Sequence, residues 1–440
     1  MPRKAPKVNE IPGLENFEVP TERNGYISQV REYKLITPLF GGGVEPAKAD
    51  PVTVIRAPEI RGHLRFWWRA CRGGQFNTLA DMKRAEDDLW GAAATEDGGG
   101  PSKVQVVVET DLDNVPQPVQ PNPKIAHPYA TFPLQPTDEE RSKGIKPKTL
   151  RPAGIKFKLK VYFPEDLSEE QKTGIEAALW AWETFGGIGA RTRRGFGALQ
   201  LVKVDGKKDI DLPPCSEATA WVESRLSYYV KETNFPDNVP HLSQSTRFKI
   251  TLSSSRAIDK WRELIKKLKD FRHQRPFLRD EKENSRPGRN RWPEQDEIRR
   301  LTGKRAAKHT AVISQVQKFP RAAFGLPIIF EYKKDDQRLG DPQGKNTLQG
   351  QSEEGYIQYE RLASPLILRP LACTSGFVGI GIILEGINLP EQLILKGETT
   401  SYEVQADLEE NEARQIMKSD DLTPLLGNQT DVLQAFLDTL

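Results

Sequence analysis

The sequence predicts an α+β fold whose first half follows the order β-α-β-β-α-β of the ferredoxin-like arrangement, a plain sheet with two helices on one side. Three observations predict it. Apolar residues recur at helical spacing in Glu59 to Gly74 and in Thr173 to Phe185. IKFKLKVYF (Ile155 to Phe163) alternates strictly with a period of two. A loop with five glycines joins the second helix to the last strand.

In chain order, residues 1–24 are polar, contain four prolines and read as a loosely ordered arm. A first domain spans 25–206. Its first strand runs through Gln29 to Thr37 and ends in a Pro-Leu-Phe-Gly-Gly-Gly turn. The helix EIRGHLRFWWRACRGG starts at Pro58-Glu59. At about 100° per residue, Arg61, Arg65, Arg69 and Arg72 fall within roughly 80° of one another, and Leu64, Trp67, Trp68 and Cys71 form the adjoining apolar face. An arginine stripe of one sign beside tryptophans suits an anion, with Trp68 at the border placed to stack on a base; burial in the core is the commoner fate of such rings. A second amphipathic piece, Leu79 to Trp90, precedes a strand at Val104 to Leu112. The proline-rich stretch from Asn114 to Arg151, with His127, Tyr129 and Phe132, is long for a structureless connection. Ile155 to Phe163 then puts Lys156, Lys158 and Lys160 on one face of a strand and Phe157, Leu159 and Val161 on the other.

The helix Thr173 to Phe185 leads into GGIGARTRRGFG. Gly186, Gly187, Gly189, Gly195 and Gly197 free the backbone to approach a ligand, and Arg191, Arg193 and Arg194 supply forked donors, a composition suited to phosphate. The loop lacks the terminal Gly-Lys-Ser/Thr of a nucleotide loop. Thr192 stands where a dinucleotide fingerprint needs glycine, and a helix rather than a strand precedes it. A flexible basic turn is the plain alternative. The strand Gly197 to Asp205 closes the domain.

Residues 207–243 read as a linker. A second domain, 244–398, opens with a strand at Ser245 to Ser255 and a helix at Ile258 to Phe271. Arg256 to Lys308 carries 18 Lys or Arg against nine Asp or Glu, with an insertion near Asn284 that reads as a solvated or RNA-contacting loop. A short helix from Glu294 to Arg300 follows. Phe319 to Tyr332, Arg361 to Leu371 and Gly376 to Gly386 read as strands. Residues 399–440 hold nine acids against two bases and read as a helical extension near Leu422 to Leu440.

Over 440 residues the formal charge is only +3, so any polyanion binding has to come from the distribution of charge. No apolar run approaches the roughly 20 residues of a membrane span, and no apolar signal core opens the chain; a cytoplasmic protein without membrane partners is expected. Cys71, Cys215 and Cys373 and five scattered histidines predict neither a metal nor a cofactor. For catalysis, His63 and His127 are the candidates for a metal-independent ribonuclease. Neither has an identifiable partner, so no catalytic residue is assigned.

The segments YKLITPLFGGG, IRGHLRFWWRA, GGIGARTRRGFG, WPEQDEIRRL, FPRAAFGLPIIF and RLASPLILRPL, in that order over roughly residues 30 to 385, resemble the RAMP proteins of CRISPR RNA-guided effectors. They are most similar to the first subunit of type III-B Cmr complexes. The resemblance implies two tandem ferredoxin-like, RRM-like domains and a place at the end of a filament of RAMP subunits on CRISPR guide RNA. Its implied partners are guide RNA, target RNA and other RAMP and Cmr-complex subunits. On this reading Arg61, Arg65, Arg69 and Trp68 form part of an RNA surface, Arg191, Arg193 and Arg194 hold phosphates, and cleavage belongs to other subunits. A RAMP-type endoribonuclease and a purely structural subunit are the alternatives.

Overall fold

The computed structural model describes residues 25–440 apart from 46, 96–97, 233, 280–284, 352–357 and 360. The arm at 1–24 and the centre of the basic insertion lie outside the described residues.

In the first half the main elements are β1 (Tyr26–Leu35), α1 (Ala57–Arg72), α2 (Leu79–Trp90), β2 (Gln105–Thr110), α3 (Pro128–Thr131), β3 (Lys156–Pro164), α4 (Glu169–Phe185) and β4 (Leu199–Val204). The sheet order is β2-β3-β1-β4, antiparallel throughout, with Val106 opposite Val161, Gln29 opposite Val161 across the next ladder, and Tyr33 opposite Leu201. This is the strand order that the β-α-β-β-α-β pattern anticipates. Alternation decides which face of β3 is dry: Phe157, Leu159, Val161 and Phe163 are buried, while Lys156 and Lys158 are exposed. Helix α4 begins four residues before the expected start because Ser168 and Gln171 form a capping box. Tyr33 stacks on Phe157 at 5.0 Å and meets Trp182 edge-on at 5.4 Å, and Trp67 lies 5.9 Å from Phe185, so α1 and α4 close over one face of the sheet.

The stretch read as a linker is not structureless. It holds α5 (Ala218–Tyr229), whose Ala218, Val222 and Leu226, spaced four apart, are fully buried in the same core. That stripe is one residue wide, too narrow to stand out as an amphipathic pattern.

The second half contains β5 (Phe248–Ile250), α6 (Ala257–Arg272), α7 (Glu294–Thr302), β6 (Ile328–Glu331), β7 (Lys345–Gln351), β8 (Leu366–Cys373), β9 (Gly376–Ile383), β10 (Gln392–Lys396), β11 (Ser401–Val404) and α8 (Val432–Leu437). Two larger sheets form here, besides a two-stranded ribbon of Phe277–Arg279 with Ser285–Pro287. One is β8-β9-β5; the other runs β6-β7-β10-β11, with Gln358–Tyr359 also paired to β7. Among the described residues the first of these has three strands, one fewer than a complete ferredoxin-like sheet, and the strand expected at Phe319 to Tyr332 belongs to the other. Its opening residues, Pro320–Phe324, form a single 3-10 turn instead, because Pro320, Gly325 (φ +106°) and Pro327 break the extended run. The acidic end is helical only in part. It supplies strand β11, a single turn at Glu410–Ala413, and α8, whose Phe436 packs 5.4 Å from Phe271.

One buried side chain ties the halves together. Arg369 on β8 is wholly inaccessible and donates to the carbonyls of Gly186 (2.7 Å), Leu199 (2.8 Å) and Pro370 (3.0 Å). Arg369→Ala leaves three acceptors unpaired in a dry interior, at about 1–3 kcal/mol each. The expected loss of stability is therefore about 3 kcal/mol or more, read from the denaturant midpoint; a loss below about 1 kcal/mol would show that water or neighbours satisfy these carbonyls.

Candidate nucleic-acid interface

The arginine stripe of α1 faces acids of its own chain. Arg65 donates to Glu86 (2.6 Å), the Gly91 carbonyl (3.0 Å) and Asp87 (3.3 Å); Arg69 donates to the same Glu86, and Arg61 to the Trp90 carbonyl. Arg72, 1 % exposed, reaches the Tyr229 carbonyl and Glu170. Trp68 is 4 % exposed, packed against Phe76 and Gly174, so its ring fills the core rather than offering a face to a base. The stripe therefore docks α2, whose acids Glu86 and Asp87 are its counter-charges. The signal for this was the facing acidic stretch of LADMKRAEDDLW. The lysines on the open face of the first sheet are also matched, Lys160 to Glu109 and Lys203 to Glu32.

The glycine-rich loop is built differently. Helix α4 ends at Gly186, and the chain passes through a 3-10 turn at Thr192–Arg194 between two left-handed residues, Arg191 (φ +63°) and Gly195 (φ +77°). Its glycines are needed by contact with the protein itself. A Cβ on Gly197 would lie 1.9 Å from the Ile188 carbonyl oxygen; one on Gly195 would lie 2.6 Å from the Trp261 ring and 2.7 Å from the Leu368 carbonyl. Gly186, Gly187 and Gly189 are equally close to Trp182, Gly197 and Phe40. The Gly189 amide donates to Glu59 (2.5 Å), beside which His63 lies at 3.6 Å.

The three loop arginines part company. Arg194 donates to the Leu366 carbonyl (2.7 Å), Arg193 donates to the Ser364 carbonyl, and the Trp261 indole N–H donates to the Arg194 carbonyl (2.6 Å). These contacts seat the loop on β8 and α6. Arg191 instead joins a group that the sequence did not single out: with Arg272 at the end of α6 it neighbours Tyr129 of α3 and Arg194, and the group continues through Arg321 to Arg275, three residues past the helix. Burial, then Arg272 and Arg191, push the Arg194 guanidinium down to about 9. Burial and Arg321 depress Arg275, burial also depresses Arg191 and Arg272, and the Tyr129 hydroxyl is hydrogen-bonded to Arg272. The buried Nε atoms of Arg191, Arg272 and Arg275 have no hydrogen-bond partner among the described residues. Desolvation and the guanidinium groups of Arg275, Arg321 and Arg272 hold the His273 imidazole down to about 4, and its ring meets Tyr129 edge-on at 5.3 Å.

Among the described residues the carboxylate acting on these arginines is Glu294, and it is bound to Arg321 (3.0 Å). Positive charge concentrated in a half-buried site without matching acids attracts an anion. His127 sits at the margin, its Nδ1 accepting from the Tyr129 amide (3.1 Å) and its pKa lowered by desolvation and Lys269. His63 and His127 thus stand on different elements with different partners. The clue to Arg272 and Arg275 lay in the basic excess of 256–308.

With this geometry in place, comparison with known proteins is informative. The RAMP superfamily profile matches residues 32–200, the span from β1 through the glycine-rich loop to β4. Residues 32–200 are thus similar to the RAMP superfamily. The CRISPR system Cmr subunit Cmr1-2 of Pyrococcus furiosus is 24% identical over 184 residues, covering 39% of this chain and 92% of that protein. A chain in the cryo-EM structure of the type III-B Cmr-beta complex bound to cognate target RNA shares the fold at a TM-score of 0.50 and 14% identity, over 93% of this chain and 99% of that one. The apo crystal structure of Cmr1 from P. furiosus aligns at a TM-score of 0.46 and 16% identity, over 82% of this chain and 89% of that one. No helix among the described residues is long and apolar enough to cross a membrane.

Gly195 and Gly206 share a left-handed φ, +77° and +76°, but nothing lies within 4 Å of a Cβ built on Gly206. Gly206→Ala is expected to cost about 1 kcal/mol of backbone strain, and Gly195→Ala at least about 2 kcal/mol more through contact with Trp261. Chemical denaturation of the pair checks this; equal losses would mean that the loop yields around the new methyl.

Proposed function

We propose that this protein is a non-catalytic RNA-binding subunit of a type III-B CRISPR effector complex, holding single-stranded guide or target RNA at the end of a RAMP filament. The observation that carries the proposal is the run of arginines from Arg191 on the glycine-rich loop through Arg272 and Arg321 to Arg275, in which Arg191, Arg272 and Arg275 form no ion pair among the described residues and leave a buried Nε without an acceptor. Guanidinium groups with open donors suit phosphate oxygens, which relieve the mutual repulsion and supply acceptors. Such contacts give affinity without sequence preference, and sequence choice passes to pairing with the guide. The Cmr1-2 relative and the target-RNA-bound Cmr-beta structure support the assignment. Guide RNA, target RNA and neighbouring Cmr subunits are its partners, and RNA cleavage falls to those neighbours. The α1 arginines have a structural role in this reading, and Arg193 and Arg194 position the loop.

The test is salt-dependent binding of labelled single-stranded RNA. Replacing Arg191, Arg272 and Arg275 together by alanine is expected to weaken binding at least about tenfold and to flatten the log–log salt slope by about 2, since each lost phosphate contact removes about 0.7. Arg65→Ala with Arg69→Ala is expected to leave the slope unchanged. If the cluster variant binds RNA as the parent does but fails to join the complex, the cluster is a protein contact. Metal-independent cleavage of the RNA, lost in His63→Ala or His127→Ala, would replace the binding assignment with a nuclease.

A further inference from the structure

Arg193, on the 3-10 turn of the glycine-rich loop, lines a cavity of about 680 Å³ together with residues between Asp237 and Glu391. This volume lies within the range that binds small organic ligands. Pro240, Leu362, Leu389 and Pro390 give the cavity apolar walls, and Asn238 and Asn388 bring amide groups to it. Arg193 is preset: one nitrogen donates to the Ser364 carbonyl and its guanidinium carbon lies 5.8 Å over the Phe66 ring. A guanidinium has five N–H donors. No carboxylate among the described residues forms an ion pair with this one, and burial alone pushes it down to about 10.

We propose that this cavity receives one unstacked base of the single-stranded RNA, with the phosphate of the same nucleotide on Arg193. The inference rests on the RNA-binding reading above and adds a second kind of contact to it. Apolar walls with a few amides fit the two faces and the edge of a base, as in proteins that splay bases out of single strands. Asp237 and Glu391 also line the cavity. Carboxylates accept hydrogen bonds from the exocyclic amines of adenine, cytosine and guanine, and they repel a second phosphate. The site therefore suits a base with a single phosphate rather than a run of backbone. The anion chosen by Arg193 and the planar group chosen by the walls are two parts of one nucleotide, which favours RNA over a peptide side chain.

The experiment uses the full chain and two probes, a short oligoadenylate and an abasic ribose-phosphate oligomer of equal length. Ala363 and Asn388 line the cavity and are exposed, so Ala363→Leu with Asn388→Leu narrows it without entering the core. An unchanged melting temperature verifies folding. The expected result is at least about fivefold weaker binding of oligoadenylate, the order of one lost stacked base, with an unchanged salt slope and unchanged affinity for the abasic oligomer. Equal affinity of parent and variant for oligoadenylate overturns the base site while leaving the arginine cluster intact. Loss of co-purifying subunits with unchanged RNA binding assigns the cavity to a protein side chain and overturns it too. If the parent binds neither probe, the RNA-binding reading falls, and the base site with it.

Discussion

The arrangement of this protein depends on keeping a guanidinium dry. Arg369 has no contact with solvent, and its partners are three carbonyl oxygens, two of them on the far side of the junction at Gly186 and Leu199. Those two flank the glycine-rich loop, so the loop is held at both ends by a side chain from the second half. Arg193 and Arg194 reciprocate by donating to Ser364 and Leu366 at the start of Arg369's own strand. A buried charge is retained only where hydrogen bonds replace its water. The two halves are therefore joined through polar groups that neither half satisfies alone.

This junction changes how the loop's chemistry is understood. A loop rich in glycine and arginine suggests backbone laid open for a ligand, yet these glycines are required because the protein's own atoms occupy the space of a Cβ. Arg193 and Arg194 each donate to a carbonyl of the second half. Arg191 has no ion pair among the described residues, and it shares Tyr129 as a neighbour with Arg272, which is brought by a segment far away in sequence. The proposed anion site would be a product of the seam between halves. A function that needs RNA held by both halves is thereby linked to their correct docking.

The two basic regions differ in one physical respect. On α1, Arg65, Arg69 and Arg72 each meet an acid within the chain, so their charge is already neutralised locally, and Arg61 is held by the Trp90 carbonyl. Around Arg191 the charges repel one another and the Nε atoms lack acceptors. Net charge is blind to this distinction. Only the second kind of site gains by binding an anion.

The sequence by itself determined the local elements of the first half. Periodicity placed α1, α2, β3 and α4 nearly to their ends, and their order implied the sheet, because helical and strand repeats are encoded within a few turns of chain. It also marked the glycine-rich loop and the excess of base over acid between Arg256 and Lys308. The tertiary structure alone decided that Trp68 fills the core, that Glu86 neutralises Arg65 and Arg69, and that residues 218–229 are a buried helix rather than a linker. It alone divided the second half into two larger sheets and brought both Arg191 and Arg272 beside Tyr129 and Arg194. The reason is that a residue's type states which charge or surface it carries, whereas its partner is chosen by packing between segments far apart in the chain, as when Arg369 donates to the Gly186 carbonyl across 183 positions.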